Sequence, residues 1–469
     1  MLQEYAQQKN AGKTRWLWAR FNQLFSARSG MIAYVPIIFV AIIMFWGVSW
    51  LFFWPTSDPA RYQCYALTFW LGSSAIHLLP QEQCAFLAQS IPQPPFRMFP
   101  LEYPPLTLLP FSLALFLPLA YYQFAFALLM SLVAVLIYWL LLRYGPQGAA
   151  FMFAFYLFIG AIATSPNRFD LIPAALTLIC LIAAERRHWT TAYVALAFGV
   201  LMKLYPLLLL PALFIAEQQA AGQLSPAKRP GRNESLLQQL RALLRHSLRW
   251  RWKNSLVFAG IVIGITTCFA LLNFQGAVLN QLDYFADRPI QVEATGSTIL
   301  WLARNFFPFE VRLDFGSYNI TSLLSEPVSH LSTAALLLGI LYILWQQWHS
   351  RFDITQGFIA LLLVSIATGK VFSPQYLIWL IPLLAYAGAF EGFWLVSWGI
   401  VSLLTMFIYS FFYSHLLTQD PALLMSAPGF FESIAIRNAF FVLATLAYLF
   451  NWFQARQRKP LHALSGKTT

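Results

Sequence analysis

The stretch MIAYVPIIFVAIIMFWGVSWLFFW, residues 31–54, decides the class of fold to which this chain belongs. It contains no charged side chain, and it exceeds the roughly 20 apolar residues that a helix needs to cross a bilayer. The arm before it, residues 1–30, is polar and basic. Because positive charge marks the cytoplasmic side of a span, we expect residues 31–54 to cross outward and residues 55–104 to form a large first outer loop.

The composition extends this prediction to the whole chain. Hydrophobic residues make up 59% of the 469 residues and charged residues only 10%, whereas a soluble domain carries about 25% charged residues. The apolar runs are continuous and do not alternate with polar residues, which favours helices over a barrel. The sequence therefore predicts an all-α, polytopic protein of the cell membrane, with about twelve transmembrane helices between residues 31 and 453.

The net charge of +12 is concentrated in three segments. These are the arm 1–30, the loop 217–254 and the tail 454–469, and we assign all three to the cytoplasm. Residues 275–329 then form a second large outer loop. No nucleic-acid motif accompanies the basic runs, so we expect membrane lipids as neighbours and no nucleic acid as a partner.

The hydrophobic segment at residues 104–143 is too long for a single crossing. A natural turn begins at Pro118, and we therefore predict two spans that end on the outer side.

Two topologies fit the next segment, residues 148–216. In the first, each of its three apolar runs crosses once, which leaves Lys203 near the middle of the membrane at a cost of several kcal/mol. In the second, residues 148–164 dip in and return, so that Arg168 and Asp170 lie outside and two short legs meet at an outer hinge at Lys203. We prefer the second topology because it fits the positive-inside rule better.

Two acids stand out because charged residues are scarce near the expected outer face. Asp58 directly follows the first span, and Pro59 predicts an extended backbone there. A carboxylate at this position could accept a proton from an incoming hydroxyl. Glu102 precedes Tyr-Pro-Pro at the start of the next apolar run. Either acid could instead be an ordinary residue at a helix end, where a negative charge suits the dipole.

Four cations near the same face are candidates for binding a lipid phosphate: Arg168, Lys203, Arg288 and Lys370. The alternative is that these cations form internal ion pairs, for example Arg168 with Asp170 or Lys203 with Glu293. No zinc-ligand spacing and no phosphate-binding loop is present, so we predict no metal and no cofactor. If the first outer loop is extracellular, Cys64 and Cys84 can form a disulfide.

Several motifs occur in the order found in one enzyme family. They are Glu102-Tyr-Pro-Pro, Arg168-Phe-Asp-Leu, Met202-Lys-Leu-Tyr-Pro, Arg288-Pro-Ile-Gln-Val-Glu and Gly369-Lys-Val-Phe-Ser-Pro-Gln-Tyr. With these motifs, residues 31–453 resemble the GT-C superfamily of polytopic glycosyltransferases, close to glycosyltransferase family 87. That group includes polyprenol-phosphate-mannose-dependent mannosyltransferases.

The resemblance implies a hexosyltransferase that moves a sugar, most simply mannose, from a polyprenyl-phosphate donor to a lipid or glycan acceptor at the outer face. Transfer would invert the anomeric centre, with Asp58 as general base and Glu102 as the second catalytic candidate. Arg168, Lys203, Arg288 and Lys370 would bind the donor phosphate. The sugar or acceptor would be bound by Asp170, Tyr205, Glu293 and Gln375.

Two other functions remain open from the sequence. A flippase or transporter of lipid-linked saccharides would suit a similar apolar composition, although such proteins often show related halves, which this chain lacks. A glycan ligase or polymerase that uses a lipid-diphosphate donor would also fit.

Overall fold

The computed structural model describes residues 31–49, 52–54, 57–87, 92–224, 250–388, 391–413 and 426–450. The predicted basic arm, the tail and most of the basic loop 217–254 lie outside these ranges.

Helices dominate the described residues. In chain order, the α-helices of six or more residues are α1 (Val35–Val48), α2 (Asp58–Leu71), α3 (Leu108–Leu113), α4 (Tyr122–Tyr144), α5 (Ala149–Ala161), α6 (Leu171–Glu185), α7 (Trp189–Met202), α8 (Leu210–Ala220), α9 (Lys253–Leu272), α10 (Asn280–Asp287), α11 (Thr295–Leu302), α12 (Ser325–Trp348), α13 (Ile354–Thr368), α14 (Tyr376–Gly388), α15 (Gly392–Phe407) and α16 (Phe430–Leu449). The predicted predominance of helix is confirmed.

Five helical segments within the described ranges are long and apolar enough to cross a membrane: Leu119–Tyr144, Lys253–Leu272, Ser325–Trp348, Gly392–Tyr413 and Phe430–Leu449. Several of the other apolar helices have only 10–17 residues, and α6, α13 and α14 are buried along most of their length. The short central helices are surrounded by longer ones. Together they form one hydrophobic core, to which most helices of the bundle contribute buried residues.

The helices run between two ends of the bundle, which we call the Asp58 end and the Glu185 end. At the Glu185 end, Thr355 at the start of α13 and Tyr386 near the end of α14 both donate hydrogen bonds to the Glu185 carboxylate. Arg186 lies with its guanidinium carbon 4.4 Å from the ring centre of Tyr144, the last residue of α4. Turns that are far apart in sequence therefore meet at the Glu185 end.

The segment 104–143 crosses the bundle once, so the prediction of two spans ending outside is wrong. Its first part, Pro105–Phe116, is a short broken helix that alternates between α-helical and 3-10 turns. The turn after it stays at the Asp58 end, because Gln63 donates to the Leu119 carbonyl at 2.8 Å and Gln123 donates to the Trp54 carbonyl at 2.9 Å. Helix α4 then reaches the other end, where the Tyr138 hydroxyl donates to the Ala33 carbonyl.

Residues 148–216 combine parts of both topologies. The predicted dip does not occur, because α5 is one uninterrupted helix of 13 residues. Helices α5 to α8 instead run alternately between the ends. Arg168 and Lys203 both lie at the Asp58 end, which matches the placement in the preferred topology, and Arg186 lies at the opposite end. The segment that turns back is residues 105–116, and not residues 148–164.

The second predicted outer loop contains a small antiparallel sheet. Strands β1 (Ile290–Gln291), β2 (Phe309–Asp314) and β3 (Ser317–Ser322) have the order β1-β3-β2. Gly316, at φ +66°, occupies the tight turn between β2 and β3, where a residue without a Cβ is favoured. The β2–β3 turn reaches the first predicted loop, because a Cβ on Gly316 would lie 3.1 Å from an Arg61 guanidinium nitrogen.

Candidate active site

A cavity of about 280 Å³ opens at the Asp58 end of the bundle. Its lining comes from both predicted outer loops and from the turns after α5, α7, α13 and α15. The charged lining residues are Asp58, Arg61, Glu102, Arg168, Lys203, Arg288 and Glu293. In a chain with only 10% charged residues, such a concentration at one place identifies the cavity as the candidate site.

Asp58 is the first residue of α2 and lies in the cavity wall. Ser57 caps this helix, because its hydroxyl accepts a hydrogen bond from the Ala60 backbone at 3.3 Å, and Pro59 occupies the first turn. The expectation that Pro59 keeps an extended loop is therefore wrong, since proline is also favoured in the first turn of a helix. The Asp58 carboxylate forms an ion pair of 2.6 Å with Arg168.

Glu102 lies on the opposite arm of the first loop and is almost completely buried. It accepts a hydrogen bond from the Tyr65 hydroxyl at 2.6 Å and forms an ion pair of 2.8 Å with Arg61. Burial alone would lower the pKa of Arg61, but the Glu102 carboxylate raises that pKa above its usual value. Burial and the Glu102 charge also raise the pKa of the Tyr103 phenol. Both carboxylate oxygens of Glu102 thus have partners within the protein. About one-fifth of the Asp58 side chain, in contrast, is exposed.

Arg61 was not singled out from the sequence. Its spacing from Asp58 points to it: residues three apart in a helix lie on neighbouring parts of the same face, so Arg61 is expected beside Asp58.

Lys203 ends α7 and forms an ion pair of 2.6 Å with Asp170 at the start of α6. Asp170 also accepts a hydrogen bond of 2.5 Å from the Trp379 indole, so it supports Lys203 from behind and does not line the cavity. Tyr205 stacks on Trp379, with ring centres 4.1 Å apart, and is buried away from the cavity. The observed pairs, Arg168 with Asp58 and Lys203 with Asp170, differ from both pairs considered from the sequence.

Arg288 differs from the other cations that line the cavity. Within the described ranges, no carboxylate oxygen lies within 4.0 Å of its side-chain nitrogens, and its Nε is buried without a hydrogen-bond partner. Its guanidinium carbon lies 5.3 Å from the ring centre of Tyr284, and the Ser317 hydroxyl is a distant partner at 3.4 Å. A half-buried cation without an anion favours an anionic ligand in the same cavity.

Glu293 lines the cavity but is already bound to a residue that the sequence did not reveal. Arg437 of α16 forms an ion pair of 2.8 Å with it, and the Tyr413 hydroxyl donates to it at 3.0 Å. Both charged side chains are essentially inaccessible to solvent. Burial raises the pKa of Glu293, and the opposing charge of Arg437 limits this rise. The pair ties the second predicted loop to the helix bundle.

Gln375 and Lys370 come from the turn between α13 and α14. Gln375 lines the cavity and its side-chain oxygen accepts a hydrogen bond from the Ser373 hydroxyl. Lys370 is not among the lining residues; its backbone carbonyl accepts a hydrogen bond of 2.9 Å from Gln291 and so joins this turn to β1. Lys370 is the one predicted phosphate ligand that the fold keeps out of the cavity wall.

A disulfide lies beside the site. Cys64 and Cys84 form a disulfide, which fastens α2 to the short helical turn Gln81–Cys84 in the first loop. Among the described residues, no group of three or more His, Cys, Asp and Glu side chains could hold a metal ion.

Comparison with known proteins gives no assignment, because no family model matches the chain and no curated protein matches it significantly.

Proposed function

We propose that the chain is a membrane glycosyltransferase that moves a hexose, most simply mannose, from a polyprenyl-phosphate donor to a hydroxyl of a lipid or glycan acceptor. The observation that carries the proposal is the composition of one cavity. It combines a partly exposed carboxylate, Asp58, with a half-buried cation that has no carboxylate partner among the described residues, Arg288. A base for a hydroxyl and a binding site for a phosphate are the two requirements of this reaction.

The proposal includes a topology. Helices α1, α4 to α9 and α12 to α16 run between the two ends, and we assign them as about twelve membrane crossings. The Asp58 end faces outward, because the basic arm, loop and tail all attach at the Glu185 end and mark it as cytoplasmic. The cavity then lies at the outer surface of the cell membrane, within reach of a lipid phosphate in the outer leaflet.

The reaction proceeds by in-line displacement with inversion. The acceptor oxygen forms a bond to the anomeric carbon as the bond between that carbon and the donor phosphate oxygen breaks. The proton of the acceptor hydroxyl passes to the Asp58 carboxylate, and the phosphate leaves with the bonding electrons. Arg288, together with Lys203 and Arg168, stabilises the charge that develops on the leaving phosphate.

Arg168 belongs to both parts of the proposed site, the base Asp58 and the cations that bind the phosphate. It pairs with Asp58 in the structure, and a donor phosphate competes for the same guanidinium. Donor binding therefore draws Arg168 towards the phosphate and exposes the Asp58 carboxylate to the acceptor hydroxyl.

The proposal is tested with purified protein in lipid vesicles. Radiolabelled polyprenyl-phosphate mannose and polyprenyl-phosphate glucose are supplied separately, with a membrane lipid extract as the source of acceptors. Transfer of label to a lipid or glycan product from one of these donors supports the proposal. Absence of transfer from both, with protein that remains folded and binds polyprenyl phosphate, contradicts it. Transfer only from a lipid-diphosphate donor identifies a ligase or polymerase instead.

A further inference from the structure

The turn between β2 and β3 holds a phenylalanine in an unfavourable backbone conformation. Asp314 pairs with Ser317 across the hairpin, so Phe315 and Gly316 form a two-residue loop. Both residues have a positive φ, +49° for Phe315 and +66° for Gly316, which is the pattern of a type I′ turn. Asparagine, aspartate and glycine are favoured at the first of these positions, whereas a bulky side chain is strained there. The turn by itself would therefore be more stable without Phe315.

The Phe315 ring faces the charged cavity. Phe315 is among the residues that line the cavity, and its side chain is only partly buried. Among the residues that the structure describes, Tyr284 is the one aromatic side chain in contact with it, edge to face, with ring centres 5.4 Å apart. Such a contact covers at most one face of either ring. Phe315 thus presents apolar ring surface to a cavity whose other features are charges.

A second phenylalanine with a positive φ shows what ordinary packing looks like. Phe96, at φ +65°, contacts the rings of Phe69 and Trp70, with ring centres 5.4 and 5.6 Å away. Aromatic packing within the first predicted loop therefore offsets the strain at Phe96. Phe315 has a single ring contact, so packing explains its position less well. A strained residue that lines a cavity indicates a function for its side chain.

The turn is fixed between the two parts of the proposed site. The Tyr284 hydroxyl donates a hydrogen bond of 3.1 Å to the Phe315 carbonyl. On one side of the turn lies Arg61, three residues after Asp58, since a Cβ on Gly316 would be 3.1 Å from an Arg61 guanidinium nitrogen. On the other side, the Ser317 hydroxyl lies 3.4 Å from the Arg288 guanidinium. The Phe315 ring is therefore positioned between the proposed base and the proposed phosphate site.

The transferred hexose has to occupy the same region. Its anomeric carbon is bonded to the donor phosphate oxygen, which Arg288 binds, and is attacked by the acceptor oxygen, which Asp58 deprotonates. The sugar ring consequently lies between these two groups. One face of a hexopyranose carries mainly C–H bonds, and the electron-rich face of an aromatic ring attracts such a surface.

We propose that Phe315 binds the hexose that is transferred, with the apolar face of the sugar stacked on its ring. The proposal rests on the proposed function for the identity of the donor, and it adds a sugar-binding residue on the second predicted outer loop. Phe315 reduces the stability of the turn and increases the affinity for the sugar. Stability and sugar affinity are therefore expected to change in opposite directions when Phe315 is replaced.

The first test measures binding and needs no turnover. The Kd is measured for polyprenyl-phosphate mannose, for polyprenyl-phosphate glucose and for polyprenyl phosphate without a sugar. Phe315→Asn should raise the Kd for at least one sugar-bearing ligand about 3- to 10-fold and leave the Kd for polyprenyl phosphate within about twofold. Phe315→Trp keeps an aromatic ring and should preserve most of the affinity for the same ligand.

The second test measures stability in the same variants. Phe315→Asn introduces the residue most favoured before glycine in this turn, so we expect the apparent Tm in detergent to rise. Phe306→Asn is the matched control in the same predicted loop, because Phe306 is 84% exposed and does not line the cavity. It should change none of the three Kd values.

Equal changes in the three Kd values of Phe315→Asn, or no change in any of them, would overturn the proposal. So would a lower Tm, because Phe315 would then be a packing residue of the hairpin. A higher KM for the acceptor with an unchanged Kd for both sugar-bearing donors would assign the ring to the acceptor instead. These results leave the proposed function intact. Failure of the wild-type protein to transfer sugar from either donor contradicts the proposed function, and the Kd comparison still tests Phe315.

Discussion

The Arg168 guanidinium lies 2.6 Å from the Asp58 carboxylate and joins the first predicted outer loop to the turn between α5 and α6. Both side chains keep about one-fifth of their surface exposed. The pair is therefore accessible to a ligand, whereas the side chains of the Glu293–Arg437 pair are almost completely inaccessible to solvent. Burial alone would lower the pKa of Arg168, but the Asp58 charge raises that pKa above its usual value, so Arg168 stays cationic throughout the proposed reaction.

Replacing Asp58 tests its role as base. Asp58→Asn preserves size but cannot accept the acceptor proton, so we expect the kcat for sugar transfer to fall about 10²- to 10⁴-fold. The KM for the donor should not rise, because the phosphate contacts remain and Arg168 loses the carboxylate that competes with the phosphate. Glu102→Gln is the comparison, since Glu102 is bound by Tyr65 and Arg61. Wild-type turnover in Asp58→Asn would exclude Asp58 as the base.

Replacing Arg288 tests the phosphate site. Arg288→Gln removes the cation that has no carboxylate partner among the described residues, and a lost hydrogen bond to a charged group costs about 1.5–3 kcal/mol. We therefore expect the KM for the donor, or the Kd for polyprenyl phosphate, to rise about 10- to 150-fold. Arg312→Gln is the matched control in the same loop, because Arg312 is exposed and its ion pair is with the equally exposed Glu310. Equal effects of the two substitutions would argue against a phosphate site at Arg288.

The buried Glu293–Arg437 pair should contribute to stability more than to binding. Glu293→Ala leaves a charged guanidinium in the core, and breaking such a pair costs about 3–5 kcal/mol. We expect a clear fall in the apparent Tm in detergent. The double variant Glu293→Leu/Arg437→Leu should recover part of this loss, because it leaves no unpaired buried charge. A Tm unchanged in Glu293→Ala would contradict the structural role, and Glu310→Gln serves as the exposed control.

The Cys64–Cys84 disulfide should stabilise the first predicted loop. The two residues are separated by 20 positions, and closing a loop of this size contributes about 3 kcal/mol in the chain-entropy model. We expect Cys64→Ala/Cys84→Ala to lower the apparent Tm and the rate of sugar transfer together, since α2 carries Asp58. An alkylation assay with and without reductant checks the bond: labelling of both residues in the unreduced, denatured protein would show that it does not form.

The proposed topology predicts which positions react from outside the cell. In a Cys268→Ala background, Arg187→Cys should resist an impermeant thiol reagent in intact cells and react after permeabilisation. Arg312→Cys in the second predicted loop should react in both cases. Labelling of position 187 in intact cells, or protection of position 312, would reverse the assigned orientation.

The sequence by itself determined the helical character and the residues worth attention. Continuous apolar runs can bury their backbone polar groups only by forming helices, and this local requirement does not depend on how the helices pack. Scarcity of charge made Asp58, Glu102, Arg168, Lys203 and Arg288 conspicuous, and the fold places all five around one cavity.

Only the tertiary structure decided which charges pair and which segment turns back. Apolar runs such as 105–116 and 149–161 have similar lengths and compositions, so hydropathy cannot tell a returning segment from a crossing one; the hydrogen bonds of Gln63 and Gln123 to distant carbonyls make that choice. The sequence likewise could not reveal Arg437, because an arginine within an apolar helix is stable only when folding brings it to a carboxylate 144 positions away. Ion pairs and cavities arise from long-range packing, and one-dimensional patterns carry information mainly about local structure.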